Sequence, residues 1–121
     1  MSASDLLDLT TLRNLVDLDD GGDGLLSEMI TIFREDTPRR IQDILAAIDR
    51  GSAEELSRTA HALKGGAGAL GASALRGLAA ELEALGREGS THPATQAGQL
   101  EGTFLASLAA LEAYARELKK P

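Results

Sequence analysis

Between residues 25 and 50, Leu26, Ile30, Phe33, Thr37, Ile41, Ile44 and Ile48 recur at steps of three or four without a break. An α-helix, at 3.6 residues per turn, places such a series on one face, whereas the alternation of a strand would scatter it. The phase runs straight through Pro38. The spacing therefore predicts one long helix over 25–50, kinked where proline removes a backbone hydrogen bond. The competing reading is a new helix opened by Pro38 with Thr37 as its cap. Arg50 in the last turn and Gly51 after it suit a helix end.

Three more stretches repeat the pattern. Ser52-Ala53-Glu54-Glu55 is a capping box, which starts a helix over 53–70. Its buried face would carry Leu56, Ala60, Leu63, Ala67 and Leu70. Gly71 can end it and Ser73 can cap the next helix, over 73–86, with Leu75, Leu78, Ala79, Leu82 and Leu85 inward. Gly86 to Gly89 reads as its stop, and Ser90-Thr91-His92-Pro93 as a connection in which His92 marks a helix entry. A last helix over 94–119 bears Ala97, Leu100, Phe104, Leu108, Leu111, Ala115 and Leu118. A short first helix over 6–18, capped by Asp8 or Thr10, carries Leu9, Leu12, Leu15 and Val16. Two phenylalanines, one tyrosine and no tryptophan give strands little support. The expected fold is all-α: an antiparallel four-helix bundle with a short additional N-terminal helix across one end, in a single domain spanning 1–121.

Charge and composition narrow the function classes. A net charge of −7 disfavours nucleic acid and anionic membranes as partners. Without cysteine there is no disulfide or thiol chemistry. No apolar run reaches the length of a membrane span, and Met1 to Asp5 lack the basic start of a secretory signal, so a cytoplasmic protein is expected; a bundle of this size is expected to act as a monomer. Asp17, Asp19, Gly22 and Glu28 fall at positions 1, 3, 6 and 12 of the EF-hand calcium loop. Gly21 and Gly24, however, stand where a ligand oxygen and an apolar residue belong, so a solvated acidic turn is the plainer reading.

On the helix over 53–70, His61 points away from the apolar face. Ser57, Lys64, Gly65 and Gly68 lie near it. Glycine inside a helix costs roughly 1 kcal/mol relative to alanine, so Gly65, Gly66 and Gly68 ask for a reason. Close approach of another molecule to His61 would supply one. No carboxylate or second histidine stands three or four residues from His61, and a cation is adjacent, so no metal site is expected. No acid partner for a general base is evident either. Neutral imidazole is a good nucleophile near pH 7, and Lys64 can neutralise part of a phosphoryl group's charge. These parts suit a histidine that accepts a phosphoryl group.

Ala60-His61-Ala62-Leu63-Lys64-Gly65, followed by Gly71-Ala72 and by Glu81-Leu82-Glu83, resembles the histidine-containing phosphotransfer (HPt) domain of two-component phosphorelays. The resemblance implies a four-helix bundle with an extra N-terminal helix. It implies phosphorylation of His61 at Nε2, phosphoryl stabilisation by Lys64 and clearance at Gly65. It also implies partners: receiver domains of response regulators or of a hybrid histidine kinase. The chain has no nucleotide-binding signature, so it is expected to be a phosphocarrier and not an enzyme. It would bind no cofactor itself, with Mg²⁺ held by the receiver. Glu81 and Glu83 otherwise read as a solvated face. If the helices pair around Gly51, Arg39 and Gln42 should stand level with His61. Together with Ser57, Arg58, Gly65 and Gly68 they would rim the docking surface. The alternatives are a helical module that binds a receiver or kinase without phosphorylation, or a calcium-responsive module using Asp17 to Glu28.

Overall fold

Each apolar stripe becomes a helix, and the helices meet along the stripes. The computed structural model describes residues 3–90 and 93–120. Six helices follow in order: α1 (Ala3–Leu6), α2 (Leu9–Leu18), α3 (Gly24–Asp49), α4 (Ala53–Ala69), α5 (Ser73–Arg87) and α6 (Ala94–Leu118). Helices α3 to α6 form a four-membered ring in which each packs on two others. The pairings run antiparallel. Ser57, His61 and Gly68 of α4 meet Gly86, Glu83 and Arg76 of α5. Asp23 and Arg34, before and within α3, pair with Lys119 and Glu112 at and within the far end of α6. Leu26, Ile44, Leu56, Leu63, Leu75, Leu82, Leu100 and Leu111 fill the centre, and the rings of Phe33 and Phe104 tilt together at 5.2 Å.

Helix α3 runs through Pro38 without interruption. Arg34 and Pro38 are both exposed, so the carbonyl that proline leaves without a donor lies on the solvent side. Ser52 caps α4 by accepting from the Glu55 N–H at 3.2 Å. Gly51 and Gly71 take positive φ (+67° and +72°) after α3 and α4, as a left-handed helix end requires.

Three expectations change. The N-terminal helix is split: α1 ends at Leu6, and Asp8 caps α2, accepting from the Thr10 and Thr11 N–H groups. The break lets the Asp8 N–H donate to the Gly71 carbonyl at 2.8 Å, which ties the segment to the α4–α5 turn. Ser73 does not cap α5. Its hydroxyl donates to the Leu6 carbonyl instead, 3.2 Å away. In the acidic turn before α3, no three His, Asp or Glu side chains converge on a point among the described residues. Asp19 accepts from the Leu25 N–H at 3.0 Å and so steadies the start of α3. Finally, the stop over Gly86 to Gly89 is the work of Gly89, which takes φ +83° just after α5, and not of Gly86. Gly86 is buried within α5, where an added Cβ would come within 2.7 Å of the Ser57 nitrogen and 2.8 Å of the Ala53 carbonyl oxygen. His92 lies outside the described residues.

Gly86→Ala drives a methyl group into helix backbone that cannot rotate aside. The expected loss is about 1–3 kcal/mol, as for other overpacked sites, read as a lower urea midpoint. Gly89→Ala, with open space around it but positive φ, should lose about 1–2 kcal/mol from backbone strain alone.

Candidate functional site

The capping box and apolar stripe hold α4 firmly, and the stripe's orientation turns His61 outward. Its side chain is 66% exposed. Beneath the ring lies Glu83 of α5, whose side chain is only 4% exposed. One carboxylate oxygen of Glu83, Oε2, lies 2.7 Å from His61 Nδ1 and accepts from Arg87 Nη2 at 3.1 Å. The other, Oε1, accepts from Lys64 Nζ at 2.5 Å. A buried carboxylate needs such partners to stay ionised. The Lys64 hydrogen bond is the largest of the influences that hold its carboxyl below the usual carboxylate range. Burial opposes it, while the His61 hydrogen bond and the charges of Arg87 and Lys64 add to it.

An ionised carboxylate only accepts hydrogen bonds, so Nδ1 of His61 must carry the proton. In the neutral ring this fixes the tautomer: Nε2 then holds the lone pair, on the side of the ring away from Glu83. A groove of about 510 Å³ opens beside the ring, lined by Ser57, Arg58, His61, Glu83 and Arg87 among others. It has room for a phosphoryl group and the atoms that carry it.

The structure brings Ser57 and Arg58 to His61, as the spacing predicts. Gly65 is open, with nothing within 4 Å of an added Cβ. Nothing in the chain's own packing requires glycine there. Gly68 differs: an added Cβ would meet Arg76 Cδ at 3.0 Å and Nε at 3.1 Å, so this glycine makes room for an arginine of its own chain. The expected register of α3 is wrong. Gln42 lines the groove between α3 and α6, away from α4. Arg39 is exposed, and the groove between α3 and α4 is lined by Arg40 in its place. Arg40 is the residue that reaches α4, with Nε 3.8 Å from the Cβ position of Gly66. The α3 face toward α4 passes through Thr37 and Arg40, which a count from Gly51 alone does not reveal.

Glu83 is the residue that sequence reasoning missed, having been assigned to a solvated face. A signal was present: Glu83 stands four residues after Ala79 and three before Gly86, both buried. That small-residue edge of α5 is the line along which α4 approaches.

The sequence matches the Hpt domain family model over residues 28–119. The chain belongs to the Hpt domain family. Its fold is similar to the crystal structure of histidine-containing phosphotransfer protein B from Pseudomonas aeruginosa PAO1, with a TM-score of 0.80 and 28% identity. That match covers 92% of this chain and 95% of the other. The histidine-containing phosphotransfer domain of ArcB from Escherichia coli shares the fold at a TM-score of 0.74 and 17% identity, covering 95% of this chain and 97% of that one. Comparison with curated proteins gave no match. Among the described residues of this Hpt domain, no helix is long and apolar enough to cross a membrane.

Two outcomes follow from Glu83. In Glu83→Ala the ring loses its acceptor, so ¹⁵N NMR should find the Nδ1–H tautomer dominant in the wild type and mixed with Nε2–H in the variant. The second concerns pH. The folded carboxyl binds its proton more weakly than the unfolded one, so its stabilisation is complete above the unfolded pKa. It is lost as pH falls through the lower, folded value. Urea midpoints of wild type and Glu83→Gln, well separated near neutral pH, should therefore converge as the pH falls below the ordinary carboxylate range.

Proposed function

We propose that this chain is a phosphocarrier of a two-component phosphorelay, with His61 as the residue that is phosphorylated. The observation that carries the reading is the buried Glu83 carboxylate on Nδ1, which leaves a lone pair on Nε2 of the exposed, neutral ring. In the forward step Nε2 attacks the phosphorus of an aspartyl phosphate on a receiver domain. The Nε2–P bond forms as the aspartyl O–P bond breaks, and the electron pair of that bond stays on the receiver's carboxylate. No proton leaves the ring, because Nδ1–H is retained. The ring becomes a phosphorylated imidazolium, and its positive charge faces Glu83, which strengthens that hydrogen bond. The same interaction would favour the charge developing in the transition state.

Lys64 has three N–H donors, so it can hold Glu83 and also reach a phosphoryl oxygen. The open surface at Gly65 gives a receiver access to the ring. Return of the phosphoryl group to the aspartate of a second receiver is the reverse of the same reaction. The chain carries no nucleotide-binding motif, so the phosphoryl group comes from the receiver, which also holds the Mg²⁺. Encounter with receivers places the work in the cytoplasm, and one copy of the chain suffices.

Incubation with a phosphorylated receiver should label the wild type in a form stable to alkali and lost in acid. His61→Gln should carry no label. Equal labelling of that variant would sink the proposal, and binding without labelling of the wild type would favour a plain docking module. Lys64→Ala should stay folded and transfer roughly 10- to 100-fold more slowly. That range corresponds to the 1.5–3 kcal/mol typical of a hydrogen bond to a charged group.

A further inference from the structure

The stretch of chain that runs from Glu55 through α4 into α5 is oddly charged for this protein. Acidic residues outnumber basic ones 19 to 12 overall, yet no Asp or Glu occurs between Glu55 and Glu81. The charged residues in that interval are Arg58, Lys64 and Arg76. Across the helix pair, Arg40 of α3 lies against Gly66 and Arg76 of α5 lies against Gly68. Among the described residues neither guanidinium has an ion pair or a hydrogen bond.

Between the two arginines, α4 offers exposed positions with almost no side chain: Ala62, Gly65, Gly66 and Ala69. Arg40 and Arg76 thus flank a smooth strip that begins next to His61. Gly68 gives Arg76 close access to the helix: a Cβ at 68 would stand 3.0 Å from its Cδ, tight enough to push the side chain outward by a few tenths of an ångström. The glycine lets the side chain lie flat on the helix, with its charge beside the strip and not standing over it.

We propose that Arg40 and Arg76 form a two-sided cationic clamp that selects receivers bearing carboxylates on both sides of the phosphoaspartate. The occupant is the acidic rim of a receiver domain. Its ridge would lie on the strip from Ala62 to Ala69 while its flanking acids meet the two guanidiniums. The inference rests on the phosphocarrier reading and adds to it the chemistry of the partner's face. Arg40 and Arg76 take no part in the bond exchange at Nε2. They act on encounter and orientation, where charge complementarity governs association rate and discrimination between partners.

The test uses the full chain and a panel of receiver domains phosphorylated with acetyl phosphate. Phosphoramidate, a small donor with no surface to dock, reports the reactivity of His61 alone. In the variant Arg40→Glu/Arg76→Glu, kcat/KM for transfer from the best receiver should fall at least about tenfold at low salt, through KM. The gap to wild type should narrow in high salt, where charges are screened. Phosphoramidate labelling and thermal unfolding should match the wild type. Transfer equal to wild type from every receiver would overturn the clamp and leave the phosphocarrier reading intact. A fall in phosphoramidate labelling parallel to that in transfer would also overturn the clamp, because the arginines would then act on the ring. If phosphoramidate labels the wild type but no receiver does, both the phosphocarrier reading and the clamp fail.

Discussion

A carboxylate almost wholly removed from water must be met by donors or give up its charge. Glu83 is met from three directions, by His61, Lys64 and Arg87. Two of the three donors belong to α4 and the carboxylate to α5, so the cluster also fixes the register between these helices. A slide by one turn would bury Glu83 without partners. The close backbone approach at Gly86 works to the same end, since it brings Ser57 and Ala53 against α5 at one place only. The outward histidine is thus set by the interior: its ring angle and proton position follow from how α4 and α5 are locked together.

The bundle was legible because its information is periodic. Steps of three and four located all four long helices, and most residues assigned to their buried faces are buried. The phase across Pro38 correctly outweighed the proline, whose missing hydrogen bond falls toward solvent. What the pattern did not carry was anything set by tertiary contact. Leu6 and Leu7 are both buried, yet the helix breaks between them and α2. The reason is the bond from Asp8 to the Gly71 carbonyl, far away in sequence. Ser73 has the chemistry of a cap, but its hydroxyl is taken by Leu6. Glu83 has the chemistry of a surface residue and becomes a buried one through partners on another helix. The register between α3 and α4 was likewise out of reach, because it depends on side-chain packing and not on loop length. Arg40 consequently stands where Arg39 and Gln42 were expected.

Glycine shows the same limit from another side. One residue type in one short region was open to a single explanation from sequence, clearance for a partner. The structure divides it. Gly65 faces open space, Gly66 makes ordinary contact with Arg40, Gly68 accommodates Arg76, and Gly86 on the neighbouring helix admits backbone. Absence of a side chain leaves no chemical trace of what fills the space, so only the positions of neighbours can assign it.

The tie between the N-terminal segment and the α4–α5 turn bears on where this domain begins. The family match starts at residue 28, within the second turn of α3. Yet Leu6, Leu7, Leu12, Val16 and Leu26, all upstream of that boundary, are buried in the common core. An added Cβ at Gly71 would meet the Asp8 carbonyl oxygen at 3.0 Å, so the segment sits directly on the turn. The family match and the buried core therefore cover different lengths of this chain. A fragment trimmed to residues 28–119 keeps His61, Lys64 and Glu83 but leaves the end of the bundle wet.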